Sequence, residues 1–144
     1  MLFIDASVIV AILTGEDDAD HLMNRLGQYD GPYYVSAVVR MEATLSVTRR
    51  LAEAKSRDRP ATPDMLAEAQ RLVEQFIADI DARDAAISGD IGARALEAAQ
   101  QYGKIVNHPA RLNMGDCFSY ACAQAYGMQI AYKGQDFAQT DMGW

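Results

Sequence analysis

Apolar positions along this chain fall into two alternating patterns. Leu2-Phe3-Ile4, Tyr33-Tyr34-Val35 after Pro32, and Met128 to Tyr132 are short, nearly unbroken runs, and they predict buried strands. Between them the apolar residues recur three and four positions apart, which predicts helices. Ser7 offers a cap for a helix to about Leu13, with Gly15 as its stop. A second helix runs from Asp17 to about Leu26, with acids in the first turn, where the helix dipole favours them. Ser36 caps a third, which carries Val38, Val39, Met41, Leu45 and Val47 and extends to about Ala54. Ser56 to Pro60 is a charged loop. Thr62-Pro63 then opens a fourth helix with a capping residue and a first-turn proline. Met65, Leu66, Ala69, Leu72, Val73, Phe76 and Ile77 form its apolar stripe. Ser88 to Tyr102 is helical up to Gly103, and Asn113 caps a last helix that ends at Gly127. A short strand is expected between Asp79 and Ile87, against the trend of its charges.

Strands that alternate with helices in this way predict an α/β fold, a parallel sheet with helices on both faces. In such sheets a ligand site lies outside the carboxyl ends of the strands. A length of 144 residues predicts a single domain, 1–144, with a sizeable core. Half the residues are apolar, so disorder by composition is excluded. No run approaches the length of a membrane span, and no signal peptide is expected, because the N-terminus lacks a basic segment and Asp5 interrupts its apolar run. Cys117 and Cys122 are the only cysteines. On one helix they point about 140° apart at about 100° per residue, so they cannot pair. Two free thiols suit a reducing cytoplasm, and their expected role is as small buried apolar groups.

Four acids change this picture. Asp5 ends the first apolar run, Asp136 follows the last one after a Lys-Gly-Gln turn, and Glu42 and Asp116 interrupt apolar helical patterns. Each has an ordinary structural explanation when taken alone: a helix cap, a helix-surface residue, a first-turn dipole partner, a turn residue. Their joint placement along one sheet edge points elsewhere. Carboxylates gathered there repel one another and call for a hard divalent cation held by oxygen ligands, the arrangement that activates a water for phosphoryl transfer. His21 and His108 read as surface residues, and no phosphate loop, dinucleotide-binding glycine motif or serine-hydrolase motif is present. The formal charge of −7 disfavours non-specific nucleic-acid binding. Between Arg40 and Arg59, however, six bases face three acids, and Arg49, Arg50 and Lys55 become candidates for RNA contact.

The segments Phe3-Ile4-Asp5-Ala6-Ser7, Arg40-Met41-Glu42-Ala43, Leu112-Asn113-Met114-Gly115-Asp116-Cys117-Phe118 and Lys133-Gly134-Gln135-Asp136-Phe137 together resemble the PIN-domain ribonucleases, and within them the VapC-type toxins of bacterial toxin–antitoxin pairs. The resemblance spans essentially the whole chain and is most specific from Asn113 to Asp136. It implies a PIN-like, Rossmann-like three-layer sandwich and a Mg²⁺- or Mn²⁺-dependent endoribonuclease. It also implies a cytoplasmic homodimer inhibited by a cognate VapB-like antitoxin. The family's catalytic and metal-binding acids map onto Asp5, Glu42, Asp116 and Asp136. Ser7 matches the small hydroxyl residue that orients a ligand, and Asp141 matches a further acid that some relatives carry as an outer support. The segment from Ala52 to Ile80 is longer than in compact relatives. Two other function classes compete. A haloacid-dehalogenase-like phosphohydrolase needs a second acid two positions after the first, where this chain has Ser7. A non-catalytic PIN-like binding module would not need the intact quartet.

Overall fold

The three apolar runs form strands in the computed structural model, which describes residues 1–144. They are β1 (Leu2–Ile4), β2 (Tyr33–Val35) and β4 (Gln129–Ala131). β3 (Arg83–Asp84) is the strand expected among the charges of the Asp79–Ile87 segment. It is only two residues long, paired through Tyr34 with Arg83 and Val35 with Asp84. Its charges are tolerated because it lies at the sheet edge, where side chains meet water. All pairings are parallel, and the strand order is β3-β2-β1-β4.

The six helices are α1 (Ala6–Leu13), α2 (Ala19–Leu26), α3 (Ala37–Lys55), α4 (Pro63–Asp79), α5 (Gly89–Tyr102) and α6 (Met114–Tyr126). The path from β1 through β2 to β3 carries α1 to α4 and steps in one direction across the sheet. The path from β3 to β4 carries α5 and α6 and steps back past β2 and β1. Right-handed crossovers therefore place α1–α4 on one face and α5–α6 on the other. The packing agrees: α1, α3 and α4 contact one another, and α5 lies on α6. The extra segment between Ala52 and Ile80 is spent on α4, which lies along α3. The reversal of direction falls between β1 and β4, so the crevice at their carboxyl ends is the topological switch point of the sheet.

Leu2, Phe3 and Ile4 are at most 1% exposed, as expected of a central strand covered on both faces, and Val8, Ile9, Val39, Val73 and Ile130 fill the layers around them. The expected caps form at Ser36, Thr62 and Asn113, and Ser88, expected as the first helical residue, caps α5. The cap of α1 differs: Asp5, not Ser7, holds that position, because the chain leaves β1 at Asp5 with extended backbone and its carboxylate accepts the Ser7 N–H. α2 starts at Ala19 rather than Asp17. Asp18 occupies its cap position without a capping bond, its carboxylate instead 3.0 Å from Lys133 Nζ. Gly127 ends α6 in the left-handed conformation (φ 62°), which a residue with a Cβ adopts only with strain. Cys117 and Cys122 are buried free thiols, as expected. No helix is long and apolar enough to cross a membrane.

Candidate active site

Asp5 is 4% exposed, and both of its carboxylate oxygens accept hydrogen bonds. Its Oδ2 accepts the Ser7 N–H at 3.0 Å and the Ser7 hydroxyl at 2.7 Å. Its Oδ1 accepts the hydroxyl of Ser119 on α6 at 2.9 Å. Three donors offset the cost of burying this carboxylate and hold it in one orientation. Ser7 also accepts the backbone N–H of Lys133 at 3.0 Å, so β4's loop is tied to the start of α1. Ser7 thus orients Asp5.

Asp116, 6% exposed, is the third residue of α6 and closes a capping box. Its Oδ2 accepts the Asn113 N–H at 3.0 Å, and its own N–H donates to Asn113 Oδ1 at 2.9 Å. The capping explanation therefore holds for both Asp5 and Asp116, and it does not compete with function: both side chains also line the cavity described next. Glu42 lies in the second turn of α3 and is half-buried. It approaches α6 so closely that a Cβ on Gly115 would meet its carboxylate at 1.9 Å, so any larger residue there would have to push the Glu42 carboxylate aside. Asp136 opens a short 3-10 segment, Asp136–Gln139, and is exposed.

Four elements thus deliver Asp5, Glu42, Asp116 and Asp136 to one open cavity of about 580 Å³ at the switch point, together with Ser7, Glu16, Ser46, Arg49 and Lys133. Burial, opposed in part by the Asn113 N–H, pushes the Asp116 carboxyl up to about 7, and the nearby Asp5, Asp136 and Glu42 push it the same way. Burial and Asp5 raise Glu42 to about 6, and the same two causes raise Asp136. The protein's ion pairs reach none of the four. The pocket therefore holds mutually repelling carboxylates that its own cations, Arg49 and Lys133, do not pair. No three His, Cys, Asp or Glu side chains form a group tight enough to enclose an ion. A hard divalent cation still fits this donor set, since Mg²⁺ keeps several waters and takes few direct carboxylates.

The remaining candidates separate. Arg49 lines the cavity and bonds only to Ser46. Arg50 is already paired with Glu16 at 2.9 Å. Lys55 ends α3, 13 residues past Glu42 and so about 20 Å along the helix, away from the cavity. Asp141 accepts the Tyr120 hydroxyl at 2.8 Å and braces α6, without lining the cavity. His108 packs edge-on against Tyr102, and His21 is exposed on α2. Sequence reasoning missed Ser119, Glu16 and Lys133. Ser119 had a usable signal, one turn beyond Asp116 on the same helix face. Glu16 and Lys133 had none, since they are partners 117 residues apart.

A family profile described as the PIN domain matches residues 2–142. A VapC ribonuclease of Rhizobium meliloti is 45% identical over 99% of this chain and all of that relative. Ribonuclease VapC42 of Mycobacterium tuberculosis is 34% identical over 98% of this chain and 96% of its own length. Among solved structures, M. tuberculosis VapC20, described as a sarcin-ricin loop cleaving toxin, superposes with a TM-score of 0.71 at 18% identity, covering 99% of this chain and 96% of that one. A toxin–antitoxin complex from Klebsiella pneumoniae gives 0.63 at 17% identity, over 100% of this chain and 96% of its counterpart. At those identities the two structures speak to the fold.

Proposed function

This chain belongs to the PIN domain family, and from that premise we propose that it is the endoribonuclease toxin of a toxin–antitoxin pair, cleaving RNA with a metal-activated water at the four-acid cavity. The observation that carries the reading is the convergence of Asp5, Glu42, Asp116 and Asp136, from four separate elements, with none of them held in an ion pair. These four would hold the cation, Mg²⁺ or Mn²⁺. When bound, that cation acidifies a water and offsets charge building on the scissile phosphate. The chain's own groups do the rest. Ser7 and Ser119 fix the Asp5 carboxylate, and the capping box fixes Asp116. Asp116 would have to release its proton to hold that cation, so cation binding is expected to tighten as pH rises through about 7. The purified protein is expected to cleave RNA, to lose that activity in EDTA, and to regain it on addition of Mn²⁺ or Mg²⁺. Cleavage that survives EDTA would remove the metal from the mechanism.

The phosphohydrolase alternative finds no support in the cavity, since its required second acid is replaced by Ser7, whose hydroxyl is committed to Asp5. RNA contact falls mainly on Arg49, the cavity cation that no carboxylate neutralises. In a cleavage-dead background Arg49→Gln is expected to flatten the salt dependence of RNA binding by about 0.7 in log–log slope, one lost single-strand phosphate contact. Arg50→Gln should do less, because Glu16 already holds Arg50. Binding titrations from low to moderate salt decide between them. An unchanged slope for Arg49→Gln would return that side chain to a solvated helix face.

The partner expected of such a toxin is an antitoxin, and a cavity of unpaired carboxylates selects an Arg, whose planar fork meets carboxylates bidentately. An antitoxin lacking its cavity-reaching Arg should inhibit at least 10-fold less well. Equal inhibition would place the inhibitory contact elsewhere. We further propose a homodimer. Leu96, Ile105 and Met114, from 67% to 89% exposed, line one apolar groove between α5 and α6, a patch suited to a second copy. A cytoplasmic site suits both the RNA substrate and the two free thiols.

A further inference from the structure

Glu16 follows α1 in the turn before α2, and its side chain is 19% exposed. Its two oxygens are held from two directions. Oε1 accepts Arg50 Nη2 of α3 at 2.9 Å, and Oε2 is paired with Lys133 Nζ in the loop after β4. Lys133 Nζ also stands 3.0 Å from Asp18 Oδ1. One carboxylate therefore joins three segments, and each of them carries a member of the acid quartet. α1 is capped by Asp5, α3 holds Glu42, and the β4 loop reaches Asp136 three residues past Lys133. The Lys133 backbone completes the link, since its N–H donates to Ser7 Oγ, whose hydroxyl donates to Asp5. The loop needs such a tether. It bends at Gly134 in a left-handed conformation (φ 95°), and Gly134, Gln135 and Asp136 are all exposed. An isolated exposed ion pair contributes little to stability. A carboxylate shared between two cations from distant segments has a geometric consequence instead.

We propose that Glu16 is a positioning residue: by clasping Lys133 and Arg50 it fixes the loop that carries Asp136 against Asp5 and Glu42, and so sets the spacing of the carboxylates that would hold the cation. The proposal rests on the metal reading of the cavity, and its test separates the two. Glu16→Gln keeps the side chain's size and loses the charge. Lys133→Gln opens the clasp from the other side, and Asp17→Asn neutralises an acid in the same turn that makes no such pairing. Two measurements on the full chain read the clasp directly: hydrogen exchange of the Lys133 backbone N–H without metal, and Mn²⁺ affinity by calorimetry. In Glu16→Gln and Lys133→Gln, Lys133 exchange should quicken and Mn²⁺ affinity should fall about 10-fold, the usual effect of removing a group that orients a ligand. Asp17→Asn should change neither, and melting temperatures should stay within a few degrees. Wild-type exchange in both clasp variants would overturn the proposal. So would a Glu16→Gln protein that binds RNA more tightly with exchange and Mn²⁺ affinity unchanged, since Glu16 would then only mask two cations. A wild type without Mn²⁺ affinity would sink the metal reading, while Lys133 exchange would still decide the clasp.

Discussion

Asp5→Asn is expected to lower RNA cleavage on the order of 10³-fold, equivalent to about 4 kcal/mol of transition-state stabilisation, while leaving the fold intact. The hydrogen bonds explain why the two effects separate. The Asn amide oxygen can accept the Ser7 N–H as the carboxylate does, and Asn is as good a helix cap as Asp. The amide nitrogen then faces Ser119, whose hydroxyl rotates from donor to acceptor. The helix keeps its cap and the buried groups keep their partners. What disappears is one negative charge at the centre of the quartet, where Asp5 acts electrostatically on Glu42, Asp116 and Asp136 alike. Single-turnover cleavage measured beside thermal melts checks both halves. A folded Asp5→Asn protein that cleaves like the wild type would make Asp5 a helix cap and nothing more.

The quartet was legible because each acid stood against its local pattern: at the end of an apolar strand, within apolar helices, or after a turn. The switch-point position followed from element order, since alternation fixes a parallel sheet before any contact is known. The cap of α1 was misassigned by two residues because Asp5 and Ser7 are both good caps, and only the point where β1 releases the chain chooses between them. The basic segment was legible as a charge count but not as a surface. On the helix Arg49 faces the cavity, Arg50 meets Glu16 and Lys55 lies beyond reach, and neighbours from α1 and β4 decide those fates. Glu16 and Lys133 were invisible for the same reason, and Ser119, though one turn from Asp116, showed its helix face but not its partner. Their roles exist only once residues 34, 117 and 114 positions apart in the sequence are brought together.

Asp116→Asn should melt higher than the wild type in the absence of metal, with a margin that grows as pH rises from about 4 to about 7. The Asp116 carboxyl is held near 7 in the folded protein, against an ordinary 3.8, because it is buried among other carboxylates. Over that interval the folded state binds a proton that the unfolded state has released. Stability linked to this group is therefore present at low pH and lost as pH climbs through 7. The loss is on the order of 4 kcal/mol, at about 1.4 kcal/mol per pH unit, or on the order of 10 °C in melting temperature for a chain of this length. An Asn side chain carries no proton to lose, and its amide oxygen still accepts the Asn113 N–H, so the capping box survives. Near pH 4 the two proteins should melt together. Mn²⁺ should then narrow the gap at neutral pH. A ligand confined to the native state adds roughly 2.7 kcal/mol at 100 times its dissociation constant, and the wild type, with all four carboxylates, should gain more of it than the variant. Melting curves at several pH values with and without Mn²⁺ test every part of this. If the gap between the two proteins stayed constant with pH, or Mn²⁺ raised both equally, Asp116 would be a cap for α6 and not a member of a metal site.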